Sequence, residues 1–205
     1  MVGNWATVGV EETTLGDHYD PETKVVRLSK AHYNGRSLSA IAVAAHEVGV
    51  LVGGRLGDHL VERGVLTGRI HLGAWSYLAA SILLVPVFLA TELVVALPFL
   101  VLAGGFLTAP IAPLEAARLD VVHPQLRGRT ESARMIARVA AQASAPLVFG
   151  VLAGALGSTH TEGLQLAFLL LLPLLAASSV CLMFATRHYP SEVAAVEESE
   201  MPADA

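Results

Sequence analysis

Long apolar runs separated by short polar interruptions dominate the chain from Leu38 onward. Five of them, at about 38–56, 70–90, 92–114, 133–156 and 164–186, approach the roughly 20 residues that a helix rising about 1.5 Å per residue needs to cross a hydrocarbon core. The stretches Leu83–Phe88 and Leu166–Leu175 are the most lipid-like. Pro86, Pro98, Pro110, Pro113, Pro146 and Pro173 interrupt these runs, which a helix bundle tolerates because neighbouring helices re-satisfy the freed backbone groups. The first 37 residues differ in pattern. Ala6–Val10 and Lys24–Leu28 read as short strands, with Asp20-Pro21-Glu22-Thr23 as a turn, which predicts a hairpin. After Tyr189-Pro190, acidic and small residues offer too little bulk to bury, and a disordered tail is expected.

The expected fold is therefore mostly α: a polytopic membrane helix bundle of about five transmembrane helices with a short amino-terminal hairpin segment. It divides into a small non-membrane segment at 1–37, a bundle at 38–186 and an acidic tail at 187–205. Composition agrees, with 54% hydrophobic and 15% charged residues and a mean hydropathy of +0.58. The lipid bilayer is the expected partner and the cell membrane the expected location, multi-pass. A net charge of −5, from 13 basic and 18 acidic residues without a basic block, excludes a nucleic-acid surface. The single cysteine, Cys181, supports neither an internal disulfide nor a multi-cysteine zinc site. Met1 is followed by no basic and then apolar leader, so no secretory signal is expected at this start.

Arginines mark alternate connections. Arg55, Arg63 and Arg69 surround the first, Arg118, Arg127, Arg129, Arg134 and Arg138 the third, and Arg187 follows the last run, so these connections read as cytoplasmic. Five crossings would then place residues 1–37 outside, against the charges of Lys24, Arg27, Lys30 and Arg36. Either the first run does not cross, or the amino-terminal segment stays inside and that run only dips into the bilayer.

His46-Glu47-Val48-Gly49-Val50 lies within the first helical run. In a zinc peptidase motif His-Glu-x-x-His, two imidazoles one turn apart share a metal and the glutamate activates its water. Here Val50 occupies the second position and has no lone pair. The surrounding stretches Leu15-Gly16-Asp17-His18-Tyr19-Asp20-Pro21, Val26-Arg27-Leu28-Ser29, Tyr33-Asn34-Gly35-Arg36-Ser37-Leu38 and Val43-Ala44-Ala45-His46-Glu47-Val48-Gly49 resemble the neutral zinc metallopeptidases of bacterial membranes over about residues 8–49. The resemblance implies His46 as a zinc ligand and Glu47 as general base. Val50 argues against both roles, so the expected cofactor is none, or zinc if a peptidase reading holds. His18, His32 and Asp17 carry suitable donor atoms, but spacing alone does not bring them to His46.

The next stretch, Val52 to Gly64, places Gly54, Asp58 and Arg63 as in the loop motif of the major facilitator superfamily, with His59 where arginine is common. Pro113 to Val122, Leu126 to Ser132 and Ala145 to Gly150 resemble the carboxy-terminal half of spinster-type members of that superfamily, so the resemblance covers about 50–190. Glu115, Arg118 and Asp120 then form either a cluster pairing across helices or meeting substrate, or an interfacial group that sets topology, and Gln142 with Ser144 is a candidate for a polar cavity. Carriers of this kind rock two halves about a central site. The sequence therefore reads as a join near residue 50 and predicts half of a transporter, inactive unless a homodimer or a missing half completes it. The competing expectation is a membrane-bound zinc metallopeptidase lacking its second histidine.

Overall fold

A computed structural model describes residues 9–14, 18–20, 23, 25–29 and 38–200. Three short strands come first: β1 (Gly9–Thr13), β2 (His18–Asp20) and β3 (Val25–Ser29). The sheet order is β1-β3-β2. β2 and β3 form an antiparallel hairpin, with His18 opposite Arg27 and Asp20 opposite Val25. β1 runs parallel to β3, from Gly9 opposite Val25 to Thr13 opposite Ser29.

The hairpin expected from sequence is thus present but built from a different first strand. The segment beginning at Ala6 supplies the parallel neighbour instead, and its residues before Gly9 lie outside the described ones. Asp20 sets the turn: its Oδ1 accepts the Thr23 amide at 3.3 Å, an Asx-type contact that reverses the chain. Its Oδ2 accepts Nη1 of Arg27. Arg27 also reaches Glu11 at 3.7 Å, so one guanidinium links all three strands.

Among the described residues six α-helices follow: α1 (Leu38–Glu62), α2 (Gly68–Leu89), α3 (Leu93–Thr108), α4 (Ile111–Asp120), α5 (Arg127–Leu156) and α6 (His160–Glu200), with a 3-10 turn at Pro124–Leu126. They make five spans long and apolar enough to cross a membrane, because α3 and α4 together form one, Leu93–Asp120. Pro110, fully buried, marks the break between those two helices. Pro86, Pro98, Pro146, Pro173 and Pro190 remain inside helices.

The outward faces are apolar, with Val94 82%, Ile136 71% and Leu147 73% exposed, as expected where the solvent is lipid. The chain is a multi-pass membrane protein.

Packing orders the helices. α2 packs on both α6 and α3, α1 packs on α3 and also touches α2 and α4, and α5 packs on α6. Small residues make these approaches close: Ala74, Ala80, Ala103 and Ala167 are fully buried. α1 ends at a left-handed residue, Gly64, with φ +84°. The Val65 amide donates to the Leu60 carbonyl at 3.0 Å and the Gly64 amide to the Val61 carbonyl at 2.8 Å. This pair of bonds closes the helix end.

The tail differs from its expectation. α6 continues through Glu200, and Tyr189 and Val193, one turn apart, are buried with Ile70 of α2 and Ala117 of α4. Burial of that single stripe offsets the acidic, solvated character of the remaining positions.

Candidate functional site

Glu47 belongs to a row of α1 residues four apart, Val43, Glu47 and Leu51. The two apolar members pack against Val26 of β3, which is only 1% exposed. The carboxylate-bearing position therefore lies along the helix face that meets the sheet, and Glu47 is half-buried. His46 is exposed beside it, and Val50, one turn on, is half-buried.

The roll of α1 is fixed from its other side by glycines four apart. A Cβ on Gly49 would stand 2.1 Å from Thr108 Oγ1 and 2.5 Å from the Gly105 carbonyl oxygen. On Gly53 it would stand 1.8 Å from the Ala109 carbonyl oxygen, and on Gly57 2.8 Å from Pro113 Cβ. Thr108 Oγ1 also lies 3.2 Å from the His46 carbonyl, next to the carbonyls of Gly104 and Gly105 at 3.0 and 3.2 Å. Its single proton serves one of them at a time.

These residues do not fit a zinc ion. A protein zinc site takes at least three protein donors. Among the described residues no three His, Cys, Asp or Glu side chains gather in a way that could hold a metal. Position 50, on the same helix face as His46, carries an alkyl group. His18 stands in β2, which with β3 lies against α1. Asp17 and His32 fall outside the described residues.

The carrier-like residues have other employment. Gly54 sits inside α1, not in a loop, and α1 runs through Asp58 to Glu62. Asp58 pairs with Arg69 at 2.8 Å and not with Arg63, whose amide donates to the His59 carbonyl at 3.1 Å. Asp120 accepts Arg69 at 3.1 Å and the Tyr189 hydroxyl at 2.6 Å. Glu115, Arg118, Glu131 and Arg134 close a square of ion pairs between α4 and α5, at 2.6, 2.8, 2.6 and 2.8 Å around its sides. Glu115, Arg118 and Asp120 each pair across helices, with Arg134, Glu131 and Arg69.

Gln142 is exposed on α5, and Ser144 donates to its own helix at the Ala141 carbonyl, 3.0 Å. Gln142 lines neither a pocket between α1 and α3 nor a groove between α2 and α6. Sequence reasoning did not single out Arg69 as the hub or Tyr189 as a partner of Asp120. The signal was available in the spacing of Tyr189 and Val193, one helical turn apart beyond an apolar span.

Residues 4–112 match the family described as "Putative neutral zinc metallopeptidase". A curated relative, "Putative membrane protease YugP" of Bacillus subtilis (strain 168), is 69% identical over 36 residues. That stretch is 18% of this chain and 16% of the relative, so the chain matches well under two thirds of the relative's length.

These matches overturn the expectation of a transporter half. The peptidase family match passes through residue 50, the expected join, and covers Gly54, Asp58 and Arg63 as well. In the glycine-rich stretch that suggested a carrier loop, Gly53 and Gly57 seat α1 on α3 and α4, whereas Gly54 meets only Ala112 Cβ at an ordinary 3.6 Å. Neither of these two matches supports the carrier resemblance.

Proposed function

The chain belongs to the neutral zinc metallopeptidase family, and from that premise we propose that it is a membrane-bound member whose peptide-facing site is the ledge between α1 and the amino-terminal sheet. Glu47 is its proton-accepting carboxylate and His46 its surviving metal-type donor. The observation that carries the reading is the row Val43–Glu47–Leu51 held against Val26, which keeps the position of the family's glutamate beside a sheet. An open sheet edge is not accommodated by hydrocarbon, so the same contact keeps this half of α1 in reach of water. Water and an extended peptide are the two reactants a hydrolase of this class needs. The match to a relative named as a membrane protease supports the same class.

Because the donor set is short at Val50, zinc is not held stoichiometrically and hydrolysis is low in the native sequence. Metal analysis of the purified full chain, with Val50→His and His46→Ala variants, tests this. Zinc well below stoichiometric in the parent and a gain in Val50→His are expected. Stoichiometric zinc in the parent that is lost in His46→Ala would refute the short donor set. No gain in a folded Val50→His protein would refute the retained geometry.

A further inference from the structure

We propose that the groove between α2 and α6 binds one anionic phospholipid, an acyl chain lying between Trp75 and Phe184 and the phosphate meeting Arg187. The groove has a volume of about 240 Å³ and is lined by Ala74, Trp75 and Leu78 from one helix and by Ser179, Phe184 and Arg187 among others from the other. That is below the roughly 300 Å³ at which drug-sized pockets begin. It suits a segment of one aliphatic chain.

Two polar groups distinguish this groove from an ordinary lipid-facing seam. Ser179 is 4% exposed, and its hydroxyl has no hydrogen-bond partner. Neighbouring hydroxyls satisfy themselves on their own helices: Ser178 donates to the Leu175 carbonyl at 2.6 Å, Thr186 to the Met183 carbonyl at 2.7 Å and Ser81 to the Leu78 carbonyl at 2.8 Å. A buried hydroxyl without a partner is costly, and the ester carbonyl of a lipid would supply one.

Arg187 is exposed and lies over the Phe184 ring, 5.2 Å from its centroid. Side chains on a helix lean toward its amino-terminal end, so the guanidinium is carried back along the groove toward Ser179. Arg69, Arg118 and Arg134 each hold carboxylates; Arg187 has no carboxylate partner among the described residues, which leaves its charge for an external anion.

Position selects the source of that anion. Arg187 precedes Tyr189, whose contact with Asp120 and, through it, Arg69 places it at the arginine-rich end of the bundle. Arginine-rich ends stay cytoplasmic, and the cytoplasmic leaflet is the anionic one. Trp75, 60% exposed, is of the type enriched at that depth.

The chain has two tryptophans, so a Trp5→Phe full chain reports from Trp75 alone. Quenching by brominated phosphatidylglycerol and brominated phosphatidylcholine, each diluted into neutral nanodiscs, measures the preference. An advantage of about fivefold for the anionic lipid is expected, the contribution of one basic side chain near an anionic surface. Arg187→Gln is expected to remove that advantage and Arg187→Lys to keep most of it. Ser179→Leu, which fills the groove, is expected to weaken quenching by both lipids. Equal quenching by the two lipids in the parent, or an unchanged preference in folded Arg187→Gln, overturns the proposal. Displacement of the anionic lipid by inorganic phosphate alone also overturns it, because the site would then be a phosphate site and not a lipid site.

Discussion

The Tyr189 hydroxyl lies 2.6 Å from Oδ2 of Asp120, the same oxygen that accepts Nη1 of Arg69 at 3.1 Å. Arg69 also holds Asp58 at 2.8 Å. One guanidinium on α2 thereby ties α1 to α4, and through Asp120 the last third of α6 is tied to both. The oxygen at the centre is shared between a neutral donor and a cationic one, so the two bonds orient each other.

Tyr189→Phe removes one hydrogen bond and leaves the ring in place. A loss of about 1 kcal/mol is expected, read as a lower midpoint of thermal unfolding in detergent. Asp120→Asn, which also takes one of two carboxylates from Arg69, is expected to lower the midpoint further. A Tyr189→Phe protein with the parent's midpoint would show that the contact carries no net stability.

The glycines of α1 separate packing from simple helix propensity. Gly53→Ala would place a methyl group 1.8 Å from the Ala109 carbonyl oxygen, and α1 must move off α3 to relieve it. Overpacking of this kind costs roughly 1–3 kcal/mol. Gly54→Ala, one residue on, meets Ala112 Cβ at an ordinary 3.6 Å and is expected to match or exceed the parent, since alanine favours helix. Unfolding midpoints of the two variants compared side by side decide the matter, and equal destabilisation by both would refute the close approach.

The spans were legible because a bilayer imposes a length on apolar runs that no local pairing can disguise. The strand order was not, because a parallel contact between β1 and β3 depends on residues distant in sequence and leaves no turn signature. Asp58 illustrates a second limit: with Arg55, Arg63 and Arg69 all near in sequence, only the roll of α1, set by Gly49, Gly53 and Gly57, determines which one it meets. At the candidate site, His46 and Glu47 could be placed on one helix from their spacing. The wall opposite Glu47 could not, since Val26 comes from a strand whose facing depends on its register. The glycine-rich stretch after Val52 suggested a carrier because close helix packing selects small residues in many membrane folds.

The ion square between α4 and α5 makes a separate prediction. The first half of α5 is largely exposed along its length, and Arg118 reaches it through Glu131 at 2.8 Å. Arg118→Ala is expected to speed amide hydrogen exchange in residues 127–138 while leaving the α2–α6 pair protected. Exchange that rises equally in α2 and α6 would mean that the square supports the whole bundle and not this one helix half.

Val26 tests whether the sheet is part of the functional unit. Among the strand side chains described, it is the one fully buried, clustered with Leu51 and Val43 of the row that contains Glu47. Val26→Ala removes two methyl groups from that contact at a cost of roughly 1–3 kcal/mol, and the sheet then detaches more often from the helix. Limited proteolysis is expected to cut the amino-terminal segment sooner while α1 to α6 resist as before. If the ledge is the peptide site, adding Val26→Ala to Val50→His should lower any peptidase activity gained by the latter with little change in its zinc content, because the metal donors sit on α1 and the substrate wall on the sheet. Equal activity in the single and double variants would place the substrate elsewhere and remove the sheet from the site.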